Sequence, residues 1–315
     1  MTRARSSAVV PGNHDGVHAG HRALIAEARR RAERASLEVV ALTFDPHPLT
    51  VLTPERAPVP LTTIERRKEL LRDAGADDVV VARFDAAYAS RPPDEFVEHV
   101  LLRDLSAKVI VVGPDFRFGA ARTGTIERLR ELGAQHELEI GEVAPVELEG
   151  IGRVSSTRIR EALREGDVER AAVMLGRVHE LAGTVIEGNR RGRTIGFPTA
   201  NLDADPILMP ADGVYAVVAR VIAPEPLAAR HGGALLRGVA NLGTRPTFAA
   251  GRSVEVHLFD FEGDLYGARL RVGFAHRLRG ERKFDGIDAL REQIARDAAS
   301  ARAQLAGEDP TWRMI

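Results

Sequence analysis

Through the first half of the chain, short apolar runs with little polar alternation are separated by stretches with helical periodicity. The runs are Ala8–Val10, Glu38–Phe44, Asp78–Phe84 and Lys108–Gly113. They are rich in Val and Ile, the pattern of strands covered on both faces. Helical spacing falls near His21–Ala35, Thr63–Ala74 and Pro93–Asp104. Strand and helix in alternation predict an α/β, doubly wound parallel sheet, in which ligands bind at the carboxyl ends of the strands.

From about Leu181 the texture changes. Leu181–Glu187, Gly213–Ala223, Leu236–Leu242, Ser253–Asp260 and Arg269–Ala275 read as strands. Gly188-Asn189, Asp212-Gly213 and Gly263-Asp264 read as turns between them. This predicts a small antiparallel β-barrel. A C-terminal helix follows over Gly286–Ala306, with Asp285 as its N-cap and an apolar face that starts at Ile287. The boundary is placed after a helix Val168–Leu175 that Gly176 can end. The expected domains are therefore residues 1–178 and 179–315.

Composition narrows the chemistry. With 315 residues the chain can build two cores. A net charge of −1 gives no global field to draw in nucleic acid or an anionic membrane, so neither is expected as a partner. Cysteine is absent, which excludes disulfides, iron–sulfur clusters and thiol nucleophiles. No signal-peptide core and no apolar run near the ~20 residues of a membrane span is present, so a cytoplasmic location is expected. Oligomeric state is open, a homo-oligomer included.

The segment Gly12-Asn13-His14-Asp15-Gly16-Val17-His18-Ala19-Gly20-His21 lies between a predicted strand and an amphipathic helix. Orphan N–H groups and the helix dipole favour an anion there, and glycines at 12, 16 and 20 permit close backbone approach. His18 and His21 can both address one phosphate and donate to charge that develops during attack on it. A zinc pair is the alternative, but no third ligand is evident. Further on, Ser155-Ser156-Thr157-Arg158-Ile159-Arg160 opens a helix, with Ser156 or Thr157 as cap. Arg158 and Arg160 in its first turn oppose the helix dipole unless an anion binds; solvated arginines balanced by Glu161 and Glu165 are the bland reading.

In the second half, a loop rich in Gly and Arg runs from Gly188 through Gly192 and Gly196 into Pro198-Thr199-Ala200-Asn201. It is not a Walker loop. Thr199 and Asn201 offer two neutral oxygens that, with phosphates and water, can complete the shell of a magnesium ion; a basic surface turn is the alternative. In Ser253–Asp260, Val254, Val256 and Leu258 share one face, and Glu255 and His257 the other.

The H-x-G-H loop together with S-S-T-x-x-R resembles the nucleotidyltransferase superfamily. Thr43-Phe44-Asp45-Pro46-His47-Pro48, Gly113-Pro114-Asp115-Phe116-Arg117-Phe118-Gly119 and most of the second half narrow the resemblance. Those later runs include Gly213–Ala216, Gly238–Phe248, Val254–Leu258, Asp264–Gly267 and Arg279–Phe284. The chain resembles the prokaryotic bifunctional riboflavin kinases/FMN adenylyltransferases (FAD synthetases). That resemblance implies a nucleotidyltransferase-like first domain and a kinase barrel, which turn riboflavin into FMN and FMN into FAD with ATP and Mg2+. By the same resemblance, Gly12, Asn13, Asp15, His18, Gly20, His21, Ser156, Thr157 and Arg160 go to ATP in the first domain. Asp115 and Phe116 go to FMN. Gly192, Gly196, Pro198, Thr199 and Asn201 go to Mg-ATP in the second, with Glu255 as general base. The chain departs from the family pattern at His14, where an aromatic residue is usual, and at Pro11, where an aliphatic one is.

Overall fold

A computed structural model describes residues 5–187, 197–224, 234–244, 252–307 and 312. The chain divides into two compact units, Met1–Ser156 and Thr157–Ile315.

The first unit is built on a five-stranded sheet. Its strands are β1 (Ser7–Pro11), β2 (Glu38–Asp45), β3 (Asp78–Arg83), β4 (Ala107–Val112) and β5 (Glu139–Glu142). They are all parallel, in the order β3-β2-β1-β4-β5. The predicted Val-rich runs thus form the four strands β1 to β4, and Val9, Val40 and Ile110 are fully buried. Pro11 closes the central strand. It lies opposite Leu42 of β2, while the ladder to β4 ends at Val9, so its missing N–H costs no hydrogen bond there.

The longer helices of this unit are α1 (Ala19–Ala35), α2 (Ile64–Asp73), α3 (Phe96–Asp104) and α4 (Ile126–Gln135). In α3 the predicted helix has π-helical form, with Leu105 N donating to Val100 O. Phe96, Val97, Val100 and Leu101 all reach the core from it. A two-stranded hairpin, β6 (Glu147–Leu148) with β7 (Gly152–Arg153), follows β5.

Helix α5 (Ser156–Glu165) starts at the division between the units, and α6 (Val168–Leu175) comes next. Gly176 ends α6 in the left-handed conformation, as expected from its sequence. Six antiparallel strands then close a barrel: β8 (His179–Ile186), β9 (Ala200–Ala204), β10 (Gly213–Ala223), β11 (Leu236–Thr244), β12 (Arg252–Leu258) and β13 (Arg269–Arg279). Their order around the barrel is β10-β11-β12-β9-β8-β13. Val218, Val254, Leu270 and Phe274 fill its buried positions.

The last helix, α7, spans Ile287–Gln304. It is capped by Gly286 with no side-chain hydrogen bond, so the expected cap at Asp285 is not made. Its contact with the barrel is carried by its later turns: Ala301 and Leu305 are fully buried, whereas Ile287 is 63% exposed.

Candidate functional site

The histidine loop joins β1 to α1 at the carboxyl edge of the parallel sheet. Three residues set its shape by positive-φ backbone, His14 (φ 49°), Gly16 (φ 84°) and Val17 (φ 42°). Asp15 is buried and anchors the loop from inside. Its carboxylate accepts from the Leu61 and Thr62 amides and from Arg67 Nη2 at 3.2 Å. Arg67 reaches in from α2 and also meets Thr43 Oγ1. Burial holds the Arg67 pKa down, against the attraction of Asp15. Ser156 donates to the Asp15 carbonyl at 2.9 Å, so its hydroxyl ties the loop in place. Asp15 therefore acts as a buried anchor, although the sequence motif groups it with the ATP residues.

The imidazoles form a cluster. His18 is the N-cap of α1, and its Nδ1 accepts from the His21 amide. Its ring stacks on His21 with centroids 3.7 Å apart. The His14 ring meets His21 edge to face at 5.1 Å. His14 is fully buried with Nε2 at 3.0 Å from Val10 O. Burial pushes its pKa down to about 4; the Val10 hydrogen bond opposes this and Arg67 adds to it. His21 is likewise held well below the ordinary range, first by burial, then by His18, His14 and Arg67. Two glycines of this loop stand against these rings. A Cβ on Gly12 would sit 3.0 Å from the His14 ring, and one on Gly20 3.1 Å from that of His18. Asn13 contacts His47 Nε2 through its side-chain nitrogen at 3.2 Å.

The remaining first-domain candidates are placed as follows. Asp115 is exposed and ion-paired with Arg153, which lowers its pKa. Phe116 stacks on Phe118 at 5.5 Å; Phe118 belongs to the core and Phe116 is partly buried against it. Thr157 and Arg160 lie on α5, in the second unit. Thr157 is exposed and Arg160 is 6% exposed, so the reading of Arg160 as a solvated balancing charge is set aside. Arg67 carries no signal at the level of sequence, since it sits in a charged helical stretch.

On the barrel, Glu255 of β12 is in register with Asn201 of β9 on one side and Asn241 of β11 on the other. Directly opposed residues share a face, so a carboxylate lies between two carboxamides on the outside of the barrel. That face is not open solvent. It forms one wall of a cleft of about 720 Å3 that includes Thr199, Asn241, Glu255 and His257, and α7 forms the other with Leu290, Ile294 and Asp297. Asn201 is itself buried. His257 Nδ1 is 2.8 Å from Pro198 O, which holds the strand leading to Thr199 against β12. Arg279 grips Asp297 through two nitrogens at 3.0 and 2.8 Å and so ties α7 to the barrel. The Phe284 ring lies in the same cleft under the Arg279 and Arg282 guanidiniums. Gly192 and Gly196, with the turn at Gly188-Asn189, lie outside the described residues.

Among the described residues, no three His, Asp or Glu side chains gather as a metal cage. The neutral oxygens of Thr199 and Asn201 beside the Glu255 carboxylate fit a hard cation whose shell is completed by phosphate and water. No helix among the described residues is long and apolar enough to cross a membrane.

Comparison with known proteins matches both halves. Residues 1–158 match the family model of FAD synthetase, and residues 175–305 that of riboflavin kinase. The bifunctional riboflavin kinase/FMN adenylyltransferase of Escherichia coli K12 is 38% identical over 292 residues, covering 92% of this chain and 90% of its own. That of Bacillus subtilis is 37% identical over 305 residues, covering 94% and 91%. A Streptococcus pneumoniae protein described as a macrolide-efflux protein has the same fold, with a TM-score of 0.84. It is 34% identical, and the match covers 96% of this chain and 95% of that one. The chain belongs to the family of bifunctional riboflavin kinases/FMN adenylyltransferases.

Proposed function

We propose that the two activities of the family are divided between the two halves, near residue 178, and that one flavin is processed in turn by both. In the kinase half, Glu255 takes the proton of the ribityl 5′-hydroxyl as that oxygen attacks the γ-phosphorus of ATP. FMN forms and ADP leaves. In the other half, a phosphate oxygen of FMN attacks the α-phosphorus of a second ATP; FAD forms and pyrophosphate leaves. Both steps need positioning and charge stabilisation rather than a covalent enzyme intermediate.

The observation that carries this reading is the placement of Glu255 between Asn201 and Asn241 on the wall of the cleft. A strand carboxylate with no task would face water. This one lines a cleft of about 720 Å3 together with Thr199, and that room would take a flavin next to phosphate. Mg2+ would be held by Thr199 and Asn201 together with the ATP phosphates, and would supply charge neutralisation there. The loop glycines Gly192 and Gly196, with Pro198, would wrap the same phosphates. In the first half, Gly12, Asn13, Gly20, His18 and His21 would receive ATP at the start of α1. The family motif gives Ser156, Thr157 and Arg160 to the same nucleotide, and Asp115 and Phe116 to FMN.

The working surroundings proposed are the cytoplasm, with small-molecule partners only and self-association left compatible. The test is a time course with purified protein, riboflavin, ATP and Mg2+, with the flavins separated by chromatography. FMN should appear first and FAD after it. A non-catalytic flavin-binding protein would return only riboflavin, and a lone adenylyltransferase would convert added FMN but not riboflavin.

A further inference from the structure

Two ring nitrogens in the histidine loop are buried without a hydrogen-bond partner: Nδ1 of His14 and Nδ1 of His21. Buried polar atoms left in this state are costly and ask for a reason. The state of His14 is fixed by its other nitrogen. Val10 O can only accept, so His14 Nε2 carries the hydrogen and a neutral ring leaves Nδ1 as a bare acceptor. That acceptor sits in a ring packed edge to face against His21 and fully shut off from solvent.

We propose that His14 is a positioning residue for adenylyl transfer: its bare Nδ1 accepts the Nδ1 hydrogen of His21 when His21 becomes an imidazolium against the triphosphate, which leaves His21 Nε2–H to the α-phosphate. This rests on the assignment of the loop to ATP. His21 takes the extra proton from solvent as the anionic nucleotide binds and releases it when pyrophosphate leaves, so the cycle balances. The charged and titratable groups around the pair are His18 at the N-cap of α1, Arg67 on α2, Asp15 in the loop and Asp45 at the end of β2. Arg67 disfavours a second cation and is itself offset by Asp15 and Asp45. Without nucleotide the balance keeps His21 neutral; the triphosphate reverses it. An aromatic hydrocarbon at position 14, as in the family pattern, fills the space and offers no acceptor.

The test uses full-length H14F and H14N. Asparagine places Oδ1 where Nδ1 stands and tolerates the left-handed backbone at this position. FAD formation from FMN is measured across pH, with riboflavin phosphorylation by the same preparations as a control for folding. An acceptor lost from a charged donor is worth about tenfold or more. H14F should therefore lose about tenfold at pH 8, its high-pH limb moving down by about one unit. H14N should stay near wild type. In nitrogen NMR of wild type bound to the non-hydrolysable analogue AMP-CPP and Mg2+, His21 should be protonated on both nitrogens. Wild type that makes FAD with an H14F profile identical to its own overturns the proposal alone, whereas wild type that makes no FAD overturns the assignment of the loop as well. If H14F does not fold, the NMR decides, and a neutral His21 in the bound wild type overturns it.

Discussion

Glu255 and Asn201 are register partners across β12 and β9, and the ladder that pairs them fixes their separation before any substrate arrives. The proposed base and magnesium ligand, set on a barrel wall, need no loop ordering to be brought together. Asn201→Ala should therefore cut FMN formation from riboflavin by about 10- to 100-fold, the worth of one hydrogen bond to a charged group. Supplied FMN should still be converted to FAD at the wild-type rate. Rates of both half-reactions, measured separately on one preparation, check this.

Arg67 and Asp15 form a buried pair that holds α2 to the histidine loop. Arg67→Met would leave the carboxylate enclosed and uncompensated. The expected loss of stability is about 3–5 kcal/mol, toward the lower end because Asp15 keeps its two backbone amides. Adding Asp15→Asn should recover part of that loss. Urea unfolding of the single and double variants measures both.

Gly12 is required by a neighbour rather than by its own backbone. A methyl group there would press on the His14 ring at 3.0 Å, and that ring is pinned to Val10 O through Nε2. Gly12→Ala should lower FAD formation strongly while riboflavin phosphorylation proceeds. Steady-state assays of the two reactions separate the outcomes.

His14 makes the fold sensitive to acid. Its pKa is about 4 in the folded protein against 6.5 in the unfolded chain, so between these values the unfolded state binds more protons. Stability is complete above pH 6.5 and falls as pH drops toward 4, by about 1.4 kcal/mol per unit at most from this group. His21, shifted in the same direction, adds to the effect. Unfolding free energies between about pH 7 and 4.5 should show this slope, and His14→Asn should flatten part of it.

Both architectures were legible because each depends on local pattern. Doubly covered strands read as Val and Ile runs in the first half, and turn-punctuated strands marked the second. The strands that escaped are short: Glu139–Glu142 is an edge strand with acidic residues at both ends, Glu147–Leu148 and Gly152–Arg153 pair over two residues each, and Ala200–Ala204 directly follows the glycine loop and reads as its tail. Among site residues, the glycines and histidines announce themselves by spacing. Arg67 does not, because its partner Asp15 lies 52 positions away and nothing in Ile64–Asp73 separates an inward arginine from its solvated neighbours. Arg160 is marked by its motif, but its burial is not legible from a helix turn that it shares with the charged Arg158 and Glu161. The pairing of Glu255 with Asn201 needs strand register, and the cleft needs the docking of α7, so alternation alone marked Glu255 as outward without showing what it faces.

The most direct measurement is a complementation assay between two damaged proteins. Glu255→Gln should make no FMN from riboflavin yet convert FMN to FAD, and His21→Ala should accumulate FMN without FAD. Mixed together with riboflavin, ATP and Mg2+, the pair should produce FAD through free FMN. If either substitution removed both products, or the mixture yielded no FAD, the assignment of separate transfer sites to the two halves would be contradicted.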